Sequence, residues 1–89
     1  MGSFSAARRI DRGPAELGDD QILLHIGRRI RVRRRLLGLS QEQVALQCGV
    51  RFQQIQKYES GMNTISAARL WRLSQSLGVP MNYFFDGLG

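Results

Sequence analysis

Gln53 and Lys57 stand four residues apart, with Gln56 and Ser60 beside them, so on a helix their long polar side chains share one face. A glutamine amide can pair in a bidentate way with N6 and N7 of adenine, and a lysine can donate to O6 and N7 of guanine. That is the chemistry of reading base edges. Upstream, Arg28, Arg29, Arg31, Arg33, Arg34 and Arg35 crowd into a segment without a single acid, in a chain whose formal net charge is +6. A positive charge gathered in one place fits a polyanion. Catalytic and metal chemistry have little to draw on. The lone histidine, His25, has no nucleophile near it, and the lone cysteine, Cys48, lies far away in sequence. Neither a zinc cluster nor a disulfide framework can be built from them. No enzymatic activity, cofactor or metal is expected.

The elements that must position Gln53 and Lys57 are legible between Ser40 and Gly61. Ser40 with Gln43 three residues on is a capping box, which starts a helix at Gln41. Val44, Ala45 and Cys48 form its buried stripe, so Cys48 reads as core packing, and Gly49 supplies a left-handed residue to end it. A second helix carries Ile55, Tyr58 and Glu59 inward and leaves Gln53 and Lys57 outward. The small Ala45 lets the two helices approach, Gly49 makes the turn and Ile55 plugs the angle, which is the division of labour of a helix-turn-helix. In that motif the N-terminal part of the second helix meets the major groove.

Around the motif, residues 1–18 read as a flexible arm. A long helix follows, with Asp19 or Asp20 as N-cap and Ile22, Ile26, Ile30 and Leu37 as its buried stripe. Gly38 ends it, and Leu39 precedes the Ser40 cap as an apolar staple. After a loop from Gly61 to Ile65, Ser66 caps a fourth helix striped by Leu70, Leu73 and Leu77 and closed by Gly78. Pro80 then opens a short fifth helix in which Met81, Phe84 and Phe85 lid the core. Residues 19–89 are thus expected to form one all-α domain of five helices. At 89 residues, folding buries about 60% of the unfolded surface, so the core is modest. No apolar run is long enough for a signal-peptide core or a membrane span. A cytoplasmic protein with no membrane partner is expected. Little chain follows the fifth helix, so no ligand-sensing or separate oligomerisation domain is expected.

The segments IGRRIR, GLSQEQVA, FQQIQKYESG and LSQSLGVPMNYFFDG carry a resemblance. From about His25 to Asp86 the chain resembles the Cro and phage-repressor type of helix-turn-helix regulator, the XRE family. The resemblance implies a compact five-helix lambda-repressor-like DNA-binding domain that acts as a homodimer on a near-palindromic operator. It also implies a base-reading place for Phe52, at the start of the recognition helix, where packing against the preceding helix competes. Arg51, Gln54, Asn63 and Thr64 fall where the family contacts phosphates. Gln41 does too, and it also opens a helix whose free amides favour phosphate. Arg51 stands where a capping Ser or Thr is common, and Thr64 where a basic residue is frequent. Arg34 and Glu59 match an internal charge pair, which makes Arg34 structural. Arg28, Arg31 and Arg35 lie on another strip and are expected to be solvated, adding to the field without specific contacts.

Trp71 lies off the stripe of its helix, and with Met81 and Phe85 it is the candidate dimer surface. A small interface of this kind is weak in the absence of DNA. The expected function is sequence-specific double-stranded DNA binding in transcriptional regulation. Two other readings use the same residues: an antitoxin that blocks a toxin protein and binds DNA for autoregulation, and an adaptor on RNA polymerase or a phage protein that reads no bases.

Overall fold

The computed structural model describes residues 17–89, so all but the last two residues of the expected N-terminal arm lie outside the described part. Helix α1 runs over Asp19–Leu36, α2 over Gln41–Cys48, α3 over Phe52–Glu59 and α4 over Ala67–Leu77. A 3-10 turn at Met81–Phe85 follows. No strand occurs among the described residues. The expected fifth helix is therefore a 3-10 turn, opened by the Tyr83 amide donating to the Pro80 carbonyl at 3.0 Å. Tighter i to i+3 bonding is what so short a segment sustains.

Local chemistry sets the helix ends. The Ser40 hydroxyl accepts from the Gln43 amide at 3.0 Å, and the Gln43 side chain accepts from the Ser40 amide at 2.7 Å. Both halves of the capping box are present. Gly49 closes α2 with φ 71°, and the Val50 amide folds back onto the Ala45 carbonyl at 3.0 Å. The Ser66 hydroxyl accepts from the Arg69 amide at 3.1 Å and so caps α4. At the start of α1 the N-cap is Gly18, not either aspartate. The Gly18 amide donates to the Gln21 side chain at 3.1 Å. Asp19 and Asp20 fall instead in the first turn, where negative charge complements the unpaired amides.

One core joins all the elements. Ile26 and Ile30 of α1, Val44, Ala45 and Cys48 of α2, and Ile55 and Tyr58 of α3 meet Leu70, Leu73 and Leu77 of α4, and Phe84 of the 3-10 turn closes over them. Leu37, expected in this stripe, is 42% exposed. It lies one residue past the end of α1, where the chain is already turning through Gly38, and Leu39 packs against the core in its place. Phe85 is also exposed, because Phe84 takes the inward position of the 3-10 turn.

The approach of α1 to α3 depends on Gly27. A Cβ there would lie 2.6 Å from the Glu59 carbonyl oxygen and would also strike the Tyr58 carbonyl. Without it the two helices come close enough for α1 side chains to reach the end of α3. The opposite side of α1 holds the C-terminal elements. Arg29 Nε donates to the Tyr83 carbonyl at 2.9 Å, with its guanidinium 3.8 Å from the centre of the Tyr83 ring. Arg33 Nε donates to the Leu77 carbonyl at 2.8 Å, and His25 Nε2 donates to the Asp86 carbonyl at 2.7 Å. Arg29 and Arg33, counted at first in a basic cluster, thus serve as struts.

Candidate nucleic-acid interface

Helix α3 is two-faced. Ile55, Tyr58 and Glu59 are buried, while Gln53, Gln56, Lys57 and Ser60 are exposed. The outward row is therefore free for a partner and the inward row holds the helix in place. Phe52 is half-buried and packs against the core, so most of its ring is committed to the protein. Arg51 is the N-cap of α3 but makes no side-chain capping bond, and it is exposed. Gln54 and Asn63 are half-buried, and Thr64 is exposed in the loop that follows α3.

The inward end of α3 carries a buried charge cluster. Arg34 Nε donates to Glu59 Oε2 at 2.6 Å and Arg34 Nη2 donates to Oε1 at 3.0 Å, a bidentate pair. Arg34 Nη1 also donates to the Leu39 carbonyl at 2.9 Å. Two further donors converge on the same Oε1: Gln41 Nε2 at 3.0 Å and Arg31 Nε at 3.4 Å. Arg31 is thus not the contact-free surface residue expected of it. Its place one helical turn before Arg34 brings it to the same side of α1. That spacing was visible in the sequence. The Gln41 bond was not, because it depends on how closely α2 and α3 fold together.

Burial by itself would hold the Glu59 carboxyl above the usual range. The bonds from Arg34, Gln41 and Arg31 outweigh burial and bring it below. Glu59 is therefore an ionised carboxylate whose side chain is fully covered. Cys48 shows the opposite balance. Burial pushes its thiol up despite Ser76, Arg69 and Arg72, so it stays a protonated core residue.

Trp71, on α4, is 51% exposed, Phe85 is 41% exposed, and Met81 is half-buried against the core. Among the described residues no three His, Cys, Asp or Glu side chains group as metal ligands. No described helix is long and apolar enough to cross a membrane.

The model of the HTH_3 helix-turn-helix family matches residues 30–84, which takes in the charge cluster, both motif helices and the C-terminal lid. The chain belongs to this family. An HTH-type transcriptional regulator of Sinorhizobium medicae is 52% identical over 63 residues, covering 71% of this chain and 45% of that protein. A transcriptional regulator in the ATPase CF(0) region of Rhodospirillum rubrum is 55% identical over 64 residues, covering 72% and 59%. The chain thus spans about half the length of the curated relatives it matches. Among solved structures, the restriction-modification controller protein C.AhdI of Aeromonas hydrophila superposes with a TM-score of 0.69 at 28% identity. The match covers 71% of this chain and 96% of that one. An HTH_3 family transcriptional regulator of Vibrio cholerae gives a TM-score of 0.71 at 25% identity, over 76% of this chain and 38% of that one.

Proposed function

We propose that this helix-turn-helix chain is a sequence-specific double-stranded DNA-binding transcriptional regulator that lays α3 in the major groove and binds as a homodimer on DNA. The observation that carries the reading is the split of α3: Gln53, Gln56 and Lys57 point outward from a helix whose other face is packed and charge-locked. Gln53 and Lys57 read base edges. Gln41, Arg51, Gln54, Asn63 and Thr64, on or beside the two motif helices, hold the backbone in register. Exposed Trp71 and Phe85, with half-buried Met81, are the apolar side chains through which a second copy docks. The regulators among the relatives and the restriction-modification controller among the structural neighbours support the same function.

Selection from a random duplex pool tests this directly. The expected result is one enriched sequence with two half-sites about 34 Å apart. A pool that yields no preferred sequence, from a folded protein, would overturn the base-reading assignment and favour the adaptor reading.

A further inference from the structure

We propose that Arg31 is a DNA-phosphate ligand, held by Glu59 beside Gln41 so that the two side chains form a clamp on the backbone next to the recognition helix. The inference rests on the DNA-binding reading above and assigns to it a residue that the motif does not single out.

The carboxylate of Glu59 is already satisfied by Arg34 through bonds of 2.6 Å and 3.0 Å. Two guanidiniums around one carboxylate leave one positive charge over. That excess sits on Arg31, whose side chain is 50% exposed, whereas Arg34 is 11% exposed and Glu59 fully covered. Oxygen Oε1 receives three donors, from Arg34, Gln41 and Arg31. A carboxylate oxygen offers about two lone-pair sites. The longest of the three contacts, Arg31 at 3.4 Å, is therefore the one that neutralises its guanidinium least.

The contact uses Nε and leaves the two terminal nitrogens of Arg31 for a bidentate oxyanion. Gln41 Nε2 carries two hydrogens, of which Glu59 takes one. Because both donors touch the same oxygen, they are neighbours where α1, α2 and α3 meet, Arg31 exposed and Gln41 half-buried. No other α1 arginine is so placed. Arg29 and Arg33 are spent on the carbonyls of Tyr83 and Leu77, and Arg28 and Arg35 are exposed without a carboxylate to orient them.

The test compares Arg31→Gln, Arg28→Gln and Gln41→Ala with the parent, on the duplex recovered by selection and on a random-sequence duplex, across a salt series. Arg28→Gln makes the same charge change on the solvated strip. Arg31→Gln is expected to weaken both duplexes by the same factor and to reduce the slope of log K against log salt by about 0.9, the value of one phosphate contact. Arg28→Gln should change that slope less. Gln41→Ala removes a neutral donor and should weaken both duplexes with little change in slope. Thermal melting separates a structural role, since a lower melting temperature alone does not alter the salt slope of the folded fraction. An Arg31→Gln slope equal to that of the parent, or no lower than that of Arg28→Gln, overturns the clamp while leaving DNA binding in place. A parent that binds neither duplex removes the DNA reading and the clamp together.

Discussion

The two ends of α3 are built on opposite terms. At its C-terminal end Glu59 is buried under donors from α1 and α2, and Gly27 brings the backbone of α1 almost into contact with it. At its N-terminal end Arg51 gives no side-chain cap, and Gln53 is exposed outside the core. One end holds the helix and the other is left exposed. The base-reading role proposed for α3 needs both, since base discrimination depends on a fixed register while the side chains doing it must remain unsatisfied until DNA arrives.

The strongest way to break this comparison is to remove its anchor. Glu59→Ala leaves Arg34 buried without a counter-charge, and breaking a buried pair from one side costs about 3 to 5 kcal/mol. A domain of this size is expected to lose most of its folded population, read as a collapse of the denaturant midpoint. An unaltered midpoint with weaker DNA binding would mean that Glu59 belongs to the reading end. The same anchor gives a pH signature. The folded-state pKa of Glu59 lies below the ordinary value, near 4.3 in an unfolded chain. Its contribution is therefore complete above that value and is lost as pH falls through the lowered folded pKa. Melting temperature followed from neutral pH into acid should fall below about pH 4, and that part of the fall should be missing in a Glu59→Gln variant.

Gly27→Ala tests the same end by geometry alone. The added Cβ has two carbonyl oxygens in its way, both backbone. Overpacking of this kind costs about 1 to 3 kcal/mol, and the shift of α1 should also loosen the Arg34–Glu59 bonds. A stability equal to that of the parent would show that α1 has room to move.

Much of this was legible in the sequence, and the parts that were not share a cause. The capping box at Ser40, the turn at Gly49 and the stripes of α2, α3 and α4 are local patterns, each set within one or two helical turns. The misplacements lie where tertiary packing decides. Leu37 keeps the helical phase of Ile30 but falls past the last turn. Phe85 loses the inward position to its neighbour Phe84. The short Met81–Phe85 segment takes the 3-10 form and is tied to α1 by Arg29, which donates to the Tyr83 carbonyl. Gly27 carries no side chain to announce that two backbones meet there. The arginines of α1 look alike as a run of charge, yet contacts with residues far along the chain, such as Tyr83, Leu77 and Glu59, divide them into struts, an anchor and free cations.

At the end of α3 proposed to read bases the expected effects are on specificity. Gln53→Ala and Lys57→Ala remove exposed side chains and should leave melting within experimental scatter. On the selected duplex each should lose about 1 to 3 kcal/mol of discrimination at one or two base positions. Binding of each variant to single-base variants of that duplex, at fixed salt, checks this. Uniform loss across all duplexes would place these residues on the backbone instead.

The smallest expected effect bears on the contrast most directly, because it converts the free end of α3 into a tied one. Arg51 has the extended N-cap backbone, φ −78° and ψ 153°, but no side-chain oxygen to cover the amides of the first turn. Arg51→Ser supplies one without altering that backbone, and a good cap contributes about 0.5 to 2 kcal/mol. The variant should therefore melt higher than the parent. It also removes a cation from the end of α3 proposed to enter the groove, so affinity for the selected and the random duplex should fall by the same factor, with a shallower salt dependence. Stability up and DNA affinity down in one variant is the outcome expected if Arg51 is kept for the partner at the expense of the helix. A gain in stability with DNA binding intact would show that Arg51 contacts nothing, and that the N-terminal end of α3 is simply unoptimised.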